Sequence, residues 1–278
     1  MTPDEYCAQK AARPGSALYY SLRFLAPEKR RAATAIYAFV RETQEAVRDC
    51  SDLDVARARL AWWRMETMQA FEGKPQHPVT QALAQVATHY AFPQEAFQAI
   101  IDGVESELLA AGFPDFKALQ RYCHRVGSTP AVLAAEVYGY RDPRTLKFAH
   151  DLGFALQLTG LVLDVGVAVR RGRLTLPEDE LAVHGISIRE LASPPPAKAG
   201  VGQFLSRQIE RCDQLYTQAL GELPLVDRRA QRPALALAAI GRALLDEIRG
   251  DPAQVLTALI DLTPLKKFWI AWRTWNFG

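Results

Sequence analysis

Neither charge dominates this chain: 33 lysines and arginines stand against 31 aspartates and glutamates, a formal net charge of +2. Proteins that bind nucleic acid concentrate a basic excess on one surface, so that class of partner is set aside. Strict alternation of β-branched residues is nearly absent, and apolar residues recur instead at intervals of three and four. That pattern argues against a sheet-based fold and predicts an all-α one. Long apolar runs are missing too. The longest, Phe154 to Val169, is broken by Gln157 and Asp164 and falls short of the ~20 residues of a membrane-spanning helix; it reads as a core helix.

Cys7, Cys50, Cys123 and Cys212 are few, lie far apart and form no Cys-x-x-Cys pair. A chain of 278 residues with 49% apolar composition buries a core that needs no covalent staples, so reduced, buried thiols are expected. His77, His89, His124, His150 and His184 show no metal-ligand spacing, no serine sits in a Gly-x-Ser-x-Gly elbow, and no glycine-rich phosphate loop occurs. The opening Met-Thr-Pro-Asp-Glu-Tyr has neither the basic nor the apolar region of a secretory signal, and Thr2-Pro3 reads as a helix cap with proline in the first turn. A cytoplasmic protein with a single domain over 1–278 is expected.

What is present is helical pattern. Helices are predicted from Pro3 to Ala12, Pro27 to Val47, Asp52 to Phe71, Val79 to Tyr90, Pro93 to Ala110, Phe116 to Val126, Pro130 to Tyr138 and Pro143 to Val169. Three more follow, from Gln203 to Leu220, Pro233 to Arg249 and Pro264 to Trp275. Ser193 to Gly200, with three consecutive prolines, is expected to be a surface loop. In the last predicted helix Leu265, Phe268, Trp272 and Trp275 share one face, with Lys266, Lys267 and Arg273 towards the other; the stripe suits docking on the core or contact with a membrane surface. Tyr19, Tyr20, Tyr37 and Tyr216 are candidates either for core packing or for lining a cavity, where aromatic faces stabilise cations.

Four blocks carry more specific information. The first runs from Tyr6-Cys7 through Gly15-Ser16-Ala17-Leu18-Tyr19-Tyr20-Ser21 to Phe24-Leu25-Ala26-Pro27-Glu28-Lys29-Arg30-Arg31, and the second is Ala35-Ile36-Tyr37-Ala38-Phe39-Val40-Arg41-Glu42. The third is Tyr122-Cys123-His124-Arg125-Val126-Gly127-Ser128-Thr129, and the fourth extends from Gln157 to Pro177. Together they resemble the squalene/phytoene synthase family, above all its bacterial presqualene-diphosphate synthase branch. The resemblance spans nearly the whole chain. It implies an isoprenoid-synthase-type helical bundle around a central cavity that holds two farnesyl-type chains, which family members join head to head. Carboxylates on two facing helices then hold magnesium ions that neutralise the departing diphosphate.

The chain departs from that pattern where the acids belong. The family's Asp-Asp-x-x-Asp run reads Gln44-Glu45-Ala46-Val47-Arg48, followed by Asp49, and the second helix offers Gly160, Leu163-Asp164 and Ala168, so that only Asp164 survives there. The tyrosine expected in the penultimate helix is Gly241, and an arginine expected before the last helix is Leu259. A guanidinium at Arg48 repels a metal ion and is able to bind phosphate directly through its planar fork; otherwise it points to solvent or pairs with Glu45 or Glu42. By the resemblance, Tyr37, Arg41, Arg48, Gln157, Arg170 and Arg171 are the candidate substrate-binding residues. Two functional expectations follow. In one, metal-dependent condensation is lost, no cofactor is needed, and the protein binds an isoprenoid diphosphate or serves a protein partner. In the other, Glu45, Asp49 and Asp164 hold one magnesium ion and an active farnesyl-diphosphate transferase remains.

Overall fold

The computed structural model describes residues 1–50, 52–108, 112–192 and 199–278. Its helices are α1 (Pro3–Ala11), α2 (Ala17–Leu22), α3 (Pro27–Arg48), α4 (Leu53–Phe71), α5 (Pro78–Ala87), α6 (Gln94–Glu105), α7 (Phe116–Cys123) and α8 (Thr129–Tyr138). They continue with α9 (Arg144–Leu163), α10 (Val165–Arg170), α11 (Glu178–Val183), α12 (Ile188–Ala192), α13 (Ala199–Glu222), α14 (Arg232–Ile248) and α15 (Pro264–Phe277). Two short strands, β1 (Gly112–Phe113) and β2 (Leu174–Pro177), form one parallel pair. The all-α expectation holds. Of the expected loop, residues 193–198 lie outside the described residues, while Ala199 and Gly200 open α13.

Local chemistry sets the helix starts. Thr2 and Glu5 close a capping box on α1, Ser16 caps α2, Asp52 caps α4, Asp115 caps α7, and Pro27 opens α3 from its first turn. α2, α11 and α12 are of five or six residues each, too short for a periodicity to register, and were not expected. The helix expected from Pro143 to Val169 breaks at Asp164, whose φ of −90° and ψ of 0° leave helical geometry. The amide of Asp164 still donates to the Gly160 carbonyl, and its own carbonyl accepts from Ala168, so α9 and α10 are joined by a kink and not by a loop.

α9 packs against α13 on one flank and against α7 and α8 on another, while α3 packs on α1, α5 and α8. Between α7 and α8 the chain makes a π-helical turn, His124–Ser128. Two glycines let that turn sit directly on α9: a Cβ on Gly127 would lie 2.5 Å from the Gly153 carbonyl oxygen, and one on Gly153 would lie 2.4 Å from that of Gly127. The close crossing brings Gln157 within reach of Tyr122. All four cysteines are free, with Cys7, Cys123 and Cys212 buried and Cys50 partly so.

α15 docks on α14 and α2 with part of its apolar stripe, Phe268 meeting Tyr20 and Phe24 and Trp275 meeting Phe24. Ala271 and Lys267 are buried, and Lys267, only 3% exposed, forms a 2.6 Å ion pair with Asp261 and donates to the Gly15 carbonyl at 2.8 Å. Leu265, at the start of the stripe, is exposed. The long lysine stem packs among apolar neighbours while its ammonium finds a buried carbonyl, which an amphipathic projection counts as polar. No described helix is long and apolar enough to cross a membrane.

Candidate functional site

The C-terminal end of α3, the segment after α6, the end of α7 and the α9–α10 junction enclose a cavity of about 890 Å³. This lies within the ~300–1,000 Å³ of small-molecule sites. Arg48, the last residue of α3, turns into it. Its Nε and one terminal nitrogen lie 3.3 and 3.4 Å from the two carboxylate oxygens of Glu107, and it donates to the Tyr122 hydroxyl at 3.0 Å. Tyr122 in turn donates to Glu107 at 2.7 Å. Arg173 closes the cluster, 3.5 Å from Glu107 and 3.4 Å from the Val47 carbonyl oxygen.

The expected alternatives for Arg48, solvent or a pair with Glu45 or Glu42, are therefore corrected: its partner is Glu107. Burial works against the Arg48 charge, but Tyr122 and Glu107 outweigh it and hold the guanidinium more basic than usual. Burial and the Glu107 charge push the Tyr122 phenol well above its ordinary value, so it stays protonated.

Asp164 faces the same cavity, and no described residue donates a hydrogen bond to its carboxyl. Although the residue keeps contact with solvent, partial burial of its carboxyl raises its pKa, and the nearby Arg48, Arg41 and Arg171 only partly offset that. Asp49 lines the cavity too and also borders an adjoining groove. Glu45 belongs to that groove, where Lys10 at 2.5 Å and Arg41 at 3.0 Å hold it. Glu45 is thus not gathered with Asp164.

The remaining candidates divide. Arg171 lines the cavity, whereas Arg41 is exposed and engaged by Glu45. Arg170 points away and donates to the Leu256 carbonyl at 2.5 Å. Gln157 stands behind Tyr122 with its amide 3.5 Å from the phenol oxygen. Tyr37, partly buried against the core, is not part of the cavity wall. Leu259 is at the mouth. At Gly241 the space is already filled: a Cβ would lie 2.2 Å from the hydroxyl of Tyr216, which reaches across from α13 and accepts from Thr159 at 3.1 Å.

Sequence reasoning missed Glu107 altogether and quoted Tyr122 only as part of the third block, without a role in the site. Glu107 sits in a single 3-10 turn after α6 with no motif around it. The one available signal was indirect: a guanidinium on an inward helix face needs an acid somewhere.

Magnesium prefers near-octahedral oxygen coordination, usually with several waters and one or two carboxylates. Asp49 and Asp164 share the cavity, but Arg48 stands in it as a cation, and Glu45 is paired in the adjoining groove. Among the described residues no group of three or more histidine, cysteine or acidic side chains is placed to hold one ion. The donor set does not fit a magnesium cluster.

A sequence profile for squalene/phytoene synthases matches residues 11–268. The phytoene synthase of Mycobacterium tuberculosis is 32% identical over 265 residues, covering 91% of this chain and 84% of that protein. The chloroplast phytoene synthase of Narcissus pseudonarcissus is 27% identical, covering 94% of this chain but 63% of its own length; the chain thus spans under two thirds of some relatives. A dehydrosqualene synthase crystal structure superposes with a TM-score of 0.85 at 21% identity, covering 98% of this chain and 95% of the other. A squalene synthase from Alicyclobacillus acidocaldarius gives 0.77 at 20% identity, with 90% and 94% covered.

Proposed function

The chain belongs to the squalene/phytoene synthase family, and from that premise we propose that it keeps the family's isoprenoid cavity without metal-dependent condensation. The observation that carries this reading is Arg48. Its guanidinium, paired with Glu107 and bonded to Tyr122, occupies the polar end of the cavity where a metal-binding helix would present acids. Diphosphate departure needs its growing negative charge neutralised as the carbon–oxygen bond breaks. Arg48 is committed to its own partners, and Glu45, held by Lys10 and Arg41, offers nothing to that end.

What the chain's own residues do is bind and exclude. Leu161, Val167 and Leu174 supply apolar wall, and Tyr122, fixed by Glu107, Arg48 and Gln157, presents a protonated phenol at the polar end. A protein that holds an isoprenoid without turning it over acts as an accessory, keeping or handing over its ligand beside a protein partner. The exposed Leu265, Trp269 and Phe277 of α15, with Arg273 nearby, support contact with a membrane surface from which such a ligand is drawn.

Incubation with radiolabelled farnesyl diphosphate and magnesium, followed by extraction, tests the reading. No presqualene diphosphate, squalene or phytoene-type product is expected. Turnover would establish the alternative, a transferase using one ion on Asp49 and Asp164, which the shared cavity of those two carboxylates favours over any grouping with Glu45.

A further inference from the structure

The charges around the cavity cancel. Arg48, Arg171 and Arg173 face Asp49, Glu107 and Asp164, three cations against three carboxylates. The adjoining cluster cancels as well, since Lys10 and Arg41 meet Glu42 and Glu45. A prenyl diphosphate carries roughly three negative charges at neutral pH, as the second ionisation of a phosphate lies near pH 6. Bringing it into a site with no net positive charge strips its water without returning a counter-charge, and uncompensated desolvation of ions is among the costliest events in binding. The best-placed guanidinium, Arg48, already has Glu107 and Tyr122 on its donors.

Asp164 adds a second, independent indication. Its carboxyl, on a residue that keeps contact with solvent, lines the cavity and accepts no hydrogen bond from a described residue. It repels an anionic head group and is satisfied by a hydroxyl donor. Phe113, Leu161, Val167 and Leu174 offer apolar surface to a chain attached to that hydroxyl.

We infer that the polar end of this cavity selects an isoprenoid with an uncharged hydroxyl head over a prenyl diphosphate, with Asp164 accepting the hydroxyl hydrogen bond and Glu107 holding Arg48 and Arg173 neutralised. This rests on the isoprenoid-binding reading above and narrows it by head group. Calorimetric titration of the full chain with farnesol and with farnesyl diphosphate, both in EDTA, reads it directly. Farnesol binds the wild type at least about tenfold more tightly, the factor that ~1.4 kcal/mol supplies. Glu107→Gln, by freeing two guanidinium groups, raises farnesyl diphosphate affinity about tenfold or more and shifts the ratio of the two affinities towards the diphosphate. Asp164→Asn moves the two ligands in opposite directions, weakening farnesol and strengthening the diphosphate.

Thermal melting establishes whether each variant is folded; should Glu107→Gln unfold, Asp164→Asn carries the comparison alone. Tighter binding of the diphosphate than of farnesol in EDTA, or diphosphate affinity unmoved by a folded variant, overturns the selection while leaving an isoprenoid site in place. Binding of neither probe overturns both readings.

Discussion

Replacing Gly241 by alanine sets a methyl group against Tyr216 in the interior of the bundle. The new Cβ would lie 2.2 Å from the Tyr216 hydroxyl oxygen and 3.0 Å from the ring carbon bearing it, where ordinary contact begins near 3.4 Å. Tyr216 is fully buried and its hydroxyl accepts from Thr159 at 3.1 Å, so the ring has little room to retreat. Overpacking of this kind costs about 1–3 kcal/mol, while exchanging a helix-interior glycine for alanine regains roughly 1 kcal/mol. A net loss of up to about 2 kcal/mol is expected, or at most roughly 8 °C in Tm for a chain of this size. Tyr216→Phe alone loses about 0.5–1.5 kcal/mol, because Thr159 keeps its 2.8 Å bond to the Ala155 carbonyl. With both changes the clashing oxygen is gone, and the double variant is expected to be at least as stable as Gly241→Ala alone, a coupling of about 1–2 kcal/mol. Urea unfolding followed by circular dichroism measures the cycle. Losses that simply add, within about 0.5 kcal/mol, would refute the claim that Tyr216 fills the space over Gly241.

Two further outcomes follow from buried acceptors. His77 caps α5 by accepting from the Val79 amide at 3.2 Å, and burial lowers its pKa from the ordinary 6.5. The unfolded chain then binds the proton more readily, so stability falls as pH drops below 6.5 and is unaffected above it; His77→Asn, which keeps a cap, should flatten that part of the Tm–pH curve. Asp227 accepts from the Arg141 and Asp142 amides at 2.8 and 2.9 Å and from the Thr145 hydroxyl at 2.7 Å, fixing the turn between α8 and α9. Asp227→Ala strands these donors and is expected to cost about 2–4 kcal/mol in urea unfolding, against half that or less for Asp227→Asn. Burial alone would raise the Asp227 pKa, but its donors outweigh it and lower it, so its contribution is present above pH 3.8 and fades as pH falls further.

Much of the framework was legible because helical pattern is local. The long helices α3, α4, α9 and α14 carry apolar residues at three and four positions with proline or a capping side chain at the start, and their expected bounds agree with the structure to within a few residues apart from the kink at Asp164. The short helices escaped because one turn and a half holds no period. In the site, Arg48 and Asp164 were named through the resemblance, one standing where the family has an acid and the other an acid that is kept. Glu45 misled: it stands one turn before Asp49, yet Lys10 of α1 holds it in the adjoining groove, and nothing in α3 itself announces that lysine.

The sequence by itself determined the helical architecture, the family and the scarcity of acids on the two helices where they are expected, since each of these is written in residue identity and in short-range spacing. Tertiary structure alone decided what the substituted residues do. Arg48 meets Glu107 across 59 positions and Tyr122 across 74, Arg173 joins them from beyond α10, and Tyr216 takes the volume over Gly241. The reason is physical: whether a guanidinium is free to hold an anion or is already neutralised depends on which charges lie within a few ångströms, and only packing brings together residues so distant in the chain.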